Sequence, residues 1–395
     1  MRHVGLATLA RIQVTIGILL SGSPAFSPGV GRQAPDEEAL LALRDQMSLQ
    51  DKVGQLFLLG FPGTTPDGAV PAIAELRAGG IVFLDNAAGA TEARGLTADL
   101  QQVAQANGVQ KLLFAIDQEG GSVQRLRAGV TSFSPNWDTG HLPPATALSQ
   151  VCQQATTQAG QLADVGIQVN LAPVVDVVDN PANTVIGERS YSADPTIAAH
   201  LGAAYIAAFQ STGGGAVAKH FPGHGSTTED SHQTLPIDAH DRTWMDAHEL
   251  VPFRAAIQAN VDAVMVAHVA YPALDPVPDR PASLSPVIID GLLRNELGFT
   301  GLVMTDDLGA MRAVTDRYES GEAAIQAVAA GADQLIVSGT LGRQRNMVAA
   351  VADAVGTRID PAQLDAAVLH VLRLKQKLGL LGDASPAPSP PACAT

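Results

Sequence analysis

Residues Gly213 to His232 read GGGAVAKHFPGHGSTTEDSH, and the fold turns on how that stretch changes character. It opens with an apolar run, Ala216 to Ala218, and passes directly into Lys219 and His220. It turns at Pro222 and Gly223, then carries His224, Glu229, Asp230 and His232 on a polar segment. A short apolar run suits a buried strand, whereas clustered titratable groups belong where a strand ends and a ligand or solvent begins. The chemistry is therefore expected at a strand's C-terminal end.

The same pattern recurs in both directions. Strands are predicted at Gln55–Leu59, Gly80–Leu84, Lys111–Ile116 and Gln168–Val175, then at Gly215–Phe221, Ala263–His268, Gly301–Thr305 and Asp333–Val337. Helical spacing fills the gaps, notably Ala147–Ala163, Pro195–Phe209, His248–Ala259, Ser285–Glu296 and Glu322–Ala330, with Arg343–Val355 and Pro361–Leu378 closing the chain. Near the start, Ser48 and Asp51 stand at the spacing of a capping box. Strands that are apolar along their whole length, alternating with helices, specify a parallel sheet covered on both faces. Eight such units fit a closed, TIM-like (β/α)8 barrel of the α/β class; an open doubly wound sheet is the alternative. The barrel is expected over residues 36–381 as a single catalytic domain without a second α/β sandwich domain.

Composition narrows the partners. With 24 Lys and Arg against 39 Asp and Glu, the net charge of −15 argues against a nucleic-acid binder, and 46% hydrophobic residues suffice for a large core. No later stretch approaches the uncharged run of about 18 residues that a membrane span needs. Residues 1–30 have a basic start, an apolar stretch from Val14 to Leu20 and small residues after it, as a secretory signal would, so a secreted or envelope-associated protein is expected, with a cytoplasmic one as the alternative. Residues 382–395, rich in Pro, Ala and Ser, are expected to be a disordered tail. The two cysteines, Cys152 and Cys393, are so differently placed that no disulfide is expected.

Titratable residues stand at the downstream ends of several predicted strands: Asp117 and Glu119, Asp176, Lys219 and His220, His268, then Asp306 and Asp307. In a barrel those ends share one face. Each has a plainer reading: Asp117 organising a turn before two glycines, Arg125 lying on the surface, Asp306 capping a helix, with Asp307 the better candidate for a capping role. Asp230 and His232 pair a carboxylate with an imidazole, as proton transfer near neutral pH requires, though two solvent-facing loop residues would look the same. His220, His224, Asp230 and His232 are also metal-ligand types, which leaves a metal-dependent barrel hydrolase open, although Pro222 and Gly223 preclude the helical presentation of such pairs. GGGAVAK lacks phosphate-loop spacing.

Several motifs carry a resemblance to a known family. They are MSLQDKVGQLF at Met47–Phe57, DQEGGSVQR at Asp117–Arg125, NLAPVVDV at Asn170–Val177 and IGERSYS at Ile186–Ser192. KHFPGHGSTTEDSH at Lys219–His232, PASLSP at Pro281–Pro286 and LGFTGLVMTDDLGAM at Leu297–Met311 complete the set. In that order they resemble the family 3 glycoside hydrolases and their bacterial β-N-acetylglucosaminidase branch, from about Leu40 to Leu380. The resemblance implies a retaining exo-β-N-acetylhexosaminidase acting on peptidoglycan fragments, muropeptides or related N-acetylglucosamine glycans, with no cofactor and no metal, and a monomer is expected. It implies Asp306 as nucleophile, His232 as acid/base with Asp230 as its partner, and Asp117, Arg125, Arg189, Lys219 and His220 around the sugar. A phosphorylase or β-glucosidase of the same family is the nearest alternative; a sugar-binding protein without turnover is the nonenzymatic one. One departure is Tyr191, where many relatives carry Phe, and its effect is expected to be confined to packing.

Overall fold

A computed structural model of the protein describes residues 37–382. The expected leader at 1–30 and the expected tail after its first residue lie outside the described residues. Eight parallel strands form one sheet: β1 (Phe57–Leu59), β2 (Gly80–Phe83), β3 (Leu113–Ile116), β4 (Val169–Asn170), β5 (Gly215–Phe221), β6 (Ala263–Val266), β7 (Leu302–Thr305) and β8 (Leu335–Val337). Their spatial order, β8-β1-β2-β3-β4-β5-β6-β7, is sequential, with β8 paired to β1. The ring closes between β7 and β8 through a bridge of Met304 to Gln334, where Thr305 N donates to Gln334 O at 3.0 Å. This is the expected (β/α)8-like barrel, not the open sheet.

Both faces of each strand are buried in apolar groups, which is why the strands lack a polar alternation. Leu58, Val82, Leu113, Val169, Val217, Met265, Met304 and Ile336 fill the barrel interior. Phe57, Leu59, Ile81, Phe83, Phe114 and Ile116 point the other way, into the layer under the helices. The last helix, Pro361–Lys377, contributes Val371 and Leu374 to the interior cluster. Leu378 just beyond it packs at Gly215, the first residue of β5, so this segment covers the N-terminal mouth and leaves the C-terminal mouth for a ligand. Helix starts follow their caps: Asp194 and Asp360 each accept from a first-turn N–H and precede a proline at the first helical position. Ser48 caps Leu49–Gln55, accepting from Asp51 N at 3.1 Å, while the Asp51 carboxylate takes the Ser48 hydroxyl proton at 2.6 Å.

Two expectations are corrected. The strand expected at Gln168–Val175 is regular only over Val169–Asn170 and rejoins β5 by one bridge, Val174 to Lys219, because Pro173 offers no N–H to the ladder. The α-helix expected at Ser285–Glu296 is a π-helix over Val287–Glu296. The disulfide expectation turns on Cys393, which lies outside the described residues. Among the described residues no helix is long and apolar enough to cross a membrane.

Candidate active site

The downstream ends of the strands surround a cavity of about 200 Å³ whose walls include Asp117, Arg125, Arg189, Lys219, His220, His232 and Asp306. Every residue expected around the sugar therefore lines it, with the expected nucleophile and acid/base. Asp230 does not: it stands behind His232. Apolar side chains from the strands, Val82, Leu171, Met265 and Ile336, make the floor.

Lys219 and His220 are consecutive, yet both face the cavity. In the pairing of β5 with β6, Lys219 aligns with Met265 and Phe221 with Val266, so β5 has one residue more than its neighbour at His220. Such a bulge re-aims a side chain that strict alternation would turn outward. Lys219 Nζ lies 2.7 Å from Asp117 Oδ1 and 2.6 Å from Glu119 Oε1. Arg189 grips the same Glu119 with Nε and Nη2, both at 2.8 Å, in the two-pronged geometry that suits guanidinium and carboxylate. Burial works against the Glu119 charge, but Arg189 and Lys219 outweigh it and bring its pKa down to about 2. Burial likewise opposes the Lys219 charge, and Asp117 and Glu119 overcome it and hold its pKa above the usual lysine value.

Asp117 and Arg125 meet because the chain between them folds into a hairpin, Gln118–Gly120 against Val123–Gln124. Its turn needs positive φ at Gly120 and Gly121 (109° and 56°), which glycine adopts without strain. Arg125 Nη2 then lies 3.6 Å from Asp117 Oδ2. The turn reading of this motif and the ligand reading are thus one arrangement.

Asp176, fully buried after β4, accepts from the backbone N–H of His220 and His224 at 3.1 and 2.8 Å and faces His220 Nδ1 at 2.7 Å. Burial would raise its pKa, but His220 and His224 prevail and keep it below the carboxylate range. A carboxylate on Nδ1 fixes the ring and leaves Nε2 for the cavity.

Asp306 follows β7 directly. Its backbone N–H donates to Val266 O at 3.1 Å, and its Oδ1 accepts from Asp307 N at 2.8 Å. Burial is again the largest influence and raises its pKa; His220, His268, the Asp307 N–H and Lys219 together outweigh it and bring it to about 2, an ionised carboxylate across the whole working range. Asp307 has the supporting role expected of it: Oδ1 accepts from Gly309 N at 2.8 Å and Ser338 N at 2.9 Å, and Oδ2 takes the Ser338 hydroxyl. Neither carboxylate caps a helix: the next one, Arg312–Thr315, starts at Met311 without a side-chain cap.

The segment after β5 brings His232 over the cavity. Asp230 Oδ1 accepts from His232 N at 2.9 Å and faces its Nδ1 at 2.8 Å, so carboxylate and ring form one unit. The His232 side chain is 62% exposed, at the rim and not in the floor. The four residues of the metal reading are otherwise engaged: Asp176 holds His220, Thr227 and Ser231 hold His224, and Asp230 holds His232. Among the described residues no three His, Cys, Asp or Glu side chains converge as metal ligands would.

Glu119, Asp176 and His268 were visible in the sequence as charges at strand ends but without roles. His268 is wholly buried, with Nδ1 2.7 Å from Ser283 Oγ and its pKa lowered by burial against the pull of Asp306 and Asp307. A signal for Glu119 existed: two buried cations need more than one carboxylate, and Glu119 was the nearest acid to Asp117.

The sequence profile described as the glycosyl hydrolase family 3 N terminal domain matches residues 48–374. The chain belongs to glycosyl hydrolase family 3. It is similar to beta-hexosaminidase A of Pseudoalteromonas piscicida, 37% identical over 319 residues, which cover 76% of this chain and 53% of that one. Among solved structures it resembles a family 3 beta-N-acetylglucosaminidase from Paenibacillus sp., with TM-score 0.82 and 43% identity over 86% of this chain and 64% of the other. It also resembles a beta-N-acetylhexosaminidase from Beutenbergia cavernae, with TM-score 0.75 and 36% identity over 83% and 98%. The family 3 chain described here thus spans about half the length of the Pseudoalteromonas relative.

Proposed function

We propose that this family 3 glycoside hydrolase is a retaining exo-β-N-acetylhexosaminidase that removes terminal N-acetylglucosamine from peptidoglycan fragments or related oligosaccharides. One observation carries the reading: Asp306, held ionised, and His232, backed by Asp230, line the same cavity as the Asp117, Glu119, Lys219 and Arg189 network. The names of its relatives support the N-acetylhexosamine substrate.

In this mechanism Asp306 attacks the anomeric carbon while His232 gives its proton to the departing glycosidic oxygen. The sugar is left esterified to Asp306. Water then attacks the same carbon, His232 takes its proton, and Asp306 leaves with the bonding pair; two inversions retain the β-configuration. Asp230 holds Nδ1 of His232, so that Nε2 performs both proton transfers. Asp117 accepts from sugar hydroxyls, and Lys219, Arg125 and Arg189 donate to them. Export belongs to the same proposal and rests on the basic start, apolar stretch and small residues within residues 1–30 of the sequence.

An aryl N-acetyl-β-glucosaminide tests the reading. The protein is expected to hydrolyse it faster than the corresponding glucoside, and Asp306→Ala to lose about a thousandfold or more in kcat. A trapped 2-acetamido sugar is expected on the peptide containing Asp306. No turnover, or equal turnover by the variant, would refute it.

A further inference from the structure

Ser231 separates the two rim residues Asp230 and His232, whose side chains are 31% and 62% exposed, yet Ser231 itself is only 2% exposed. It is the point at which this loop plugs into the barrel. Its carbonyl accepts from Ala313 N at 3.1 Å, and its Oγ lies 3.2 Å from His224 Nε2.

The direction of that second bond follows from counting protons. Thr227 Oγ1 lies 3.0 Å from His224 O and 2.7 Å from His224 Nδ1; with its single proton on the carbonyl oxygen, the ring donates from Nδ1. A neutral imidazole that donates from Nδ1 offers a lone pair at Nε2, and Ser231 O–H is its donor. His224 is itself fixed, a buried residue of the cavity wall with its backbone N–H on Asp176, the carboxylate that also orients His220. Burial and the neighbouring His220 bring its pKa down to about 4, so the acceptor lone pair is present at neutral pH.

From this geometry we infer that His224 and Ser231 form a latch that sets the rim loop and so positions His232 for proton transfer. The inference rests on the acid/base role proposed for His232. Neither latch residue touches the proton in flight; each acts through His232. A packing role for Ser231 would affect all substrates alike. A latch acts only where the departing group needs a proton, because a strongly acidic phenol leaves without one.

The test compares kcat/KM, which reports formation of the glycosyl-enzyme, for the phenyl and 2,4-dinitrophenyl N-acetyl-β-glucosaminides. The ratio of the two values is independent of the fraction of correctly folded enzyme, so partial misfolding of a variant does not confound it. Ser231→Ala and His224→Leu are expected to lower the phenyl-to-dinitrophenyl ratio about tenfold, part of the range that a general acid supplies. His224→Gln, which presents an amide oxygen toward Ser231, is expected to recover most of that loss. An unchanged ratio in Ser231→Ala and His224→Leu overturns the latch while leaving the hydrolase reading intact. Failure of the unaltered protein to turn over either substrate overturns the hydrolase reading itself.

Discussion

The side chains of Lys219 and Glu119 are 2% and 1% exposed, so neither charge is solvated and each is tolerated because the other is there. The partners of this network are 70 and 102 residues apart along the chain, for Arg189–Glu119 and Lys219–Asp117. For that reason, sequence reading found its members without their pairing: a charged group at a strand end is visible in the chain, whereas its counter-ion is chosen by the ring of strands. Glu119→Gln leaves Lys219 and Arg189 short of a buried counter-charge, and a loss of about 3–5 kcal/mol is expected in urea unfolding. Tyr191 shows the same limit. It was legible as a departure in packing, and it is wholly buried, but its hydroxyl has no hydrogen-bond partner among the described residues, which no local pattern announces.

Among elements, the strands were legible because burial on both faces writes them as short apolar runs, and helix starts were legible where Ser or Asp caps precede them. The bulge at His220 was not: it exists only in the register between β5 and β6. The shape of the rim loop was equally hidden. Its first half is held by Ser226, whose Oγ lies 2.8 Å from both Asp179 Oδ1 and Glu249 Oε1. Burial, reinforced by Asp176, pushes the Glu249 pKa far up. Between these anchors and β5, Gly225 lies so close to the strand β4 continuation that a Cβ would stand 1.9 Å from Val177 O. Gly225→Ala must therefore displace the loop by its backbone. A displacement of about 1 Å can cost about a hundredfold. That loss is expected in kcat/KM for a phenyl substrate, with thermal unfolding lowered as well because the displaced backbone is buried.

At the scale of the molecule, two buried bases set opposite ends of the pH–stability curve. His224 has its pKa lowered by burial from 6.5 to about 4, so the unfolded chain binds the extra proton between those values and stability falls as pH drops through that window. Lys375, buried in the last helix with Nζ on Gln55 Oε1 at 2.7 Å, is lowered by burial from 10.5 to about 7, so stability rises with pH from about 7 toward 10.5. At about 1.4 kcal/mol per pKa unit, His224 accounts for about 3 kcal/mol and Lys375 for about 5 kcal/mol. Urea unfolding across pH 4 to 10 checks both, with His224→Gln expected to flatten the acid fall and Lys375→Met the alkaline rise.

The ring meets end to end between β7 and β8, and Asp307 ties that join by accepting from Ser338 N and Oγ. Asp306, the proposed nucleophile, gains through that neighbour a support from β8 beside its own bond to Val266 O. Without Leu335–Val337 in place Asp306 would keep Val266, but Asp307, whose N–H holds its Oδ1, would lack the Ser338 contacts. Closing the ring thus stiffens the corner on which the proposed chemistry turns.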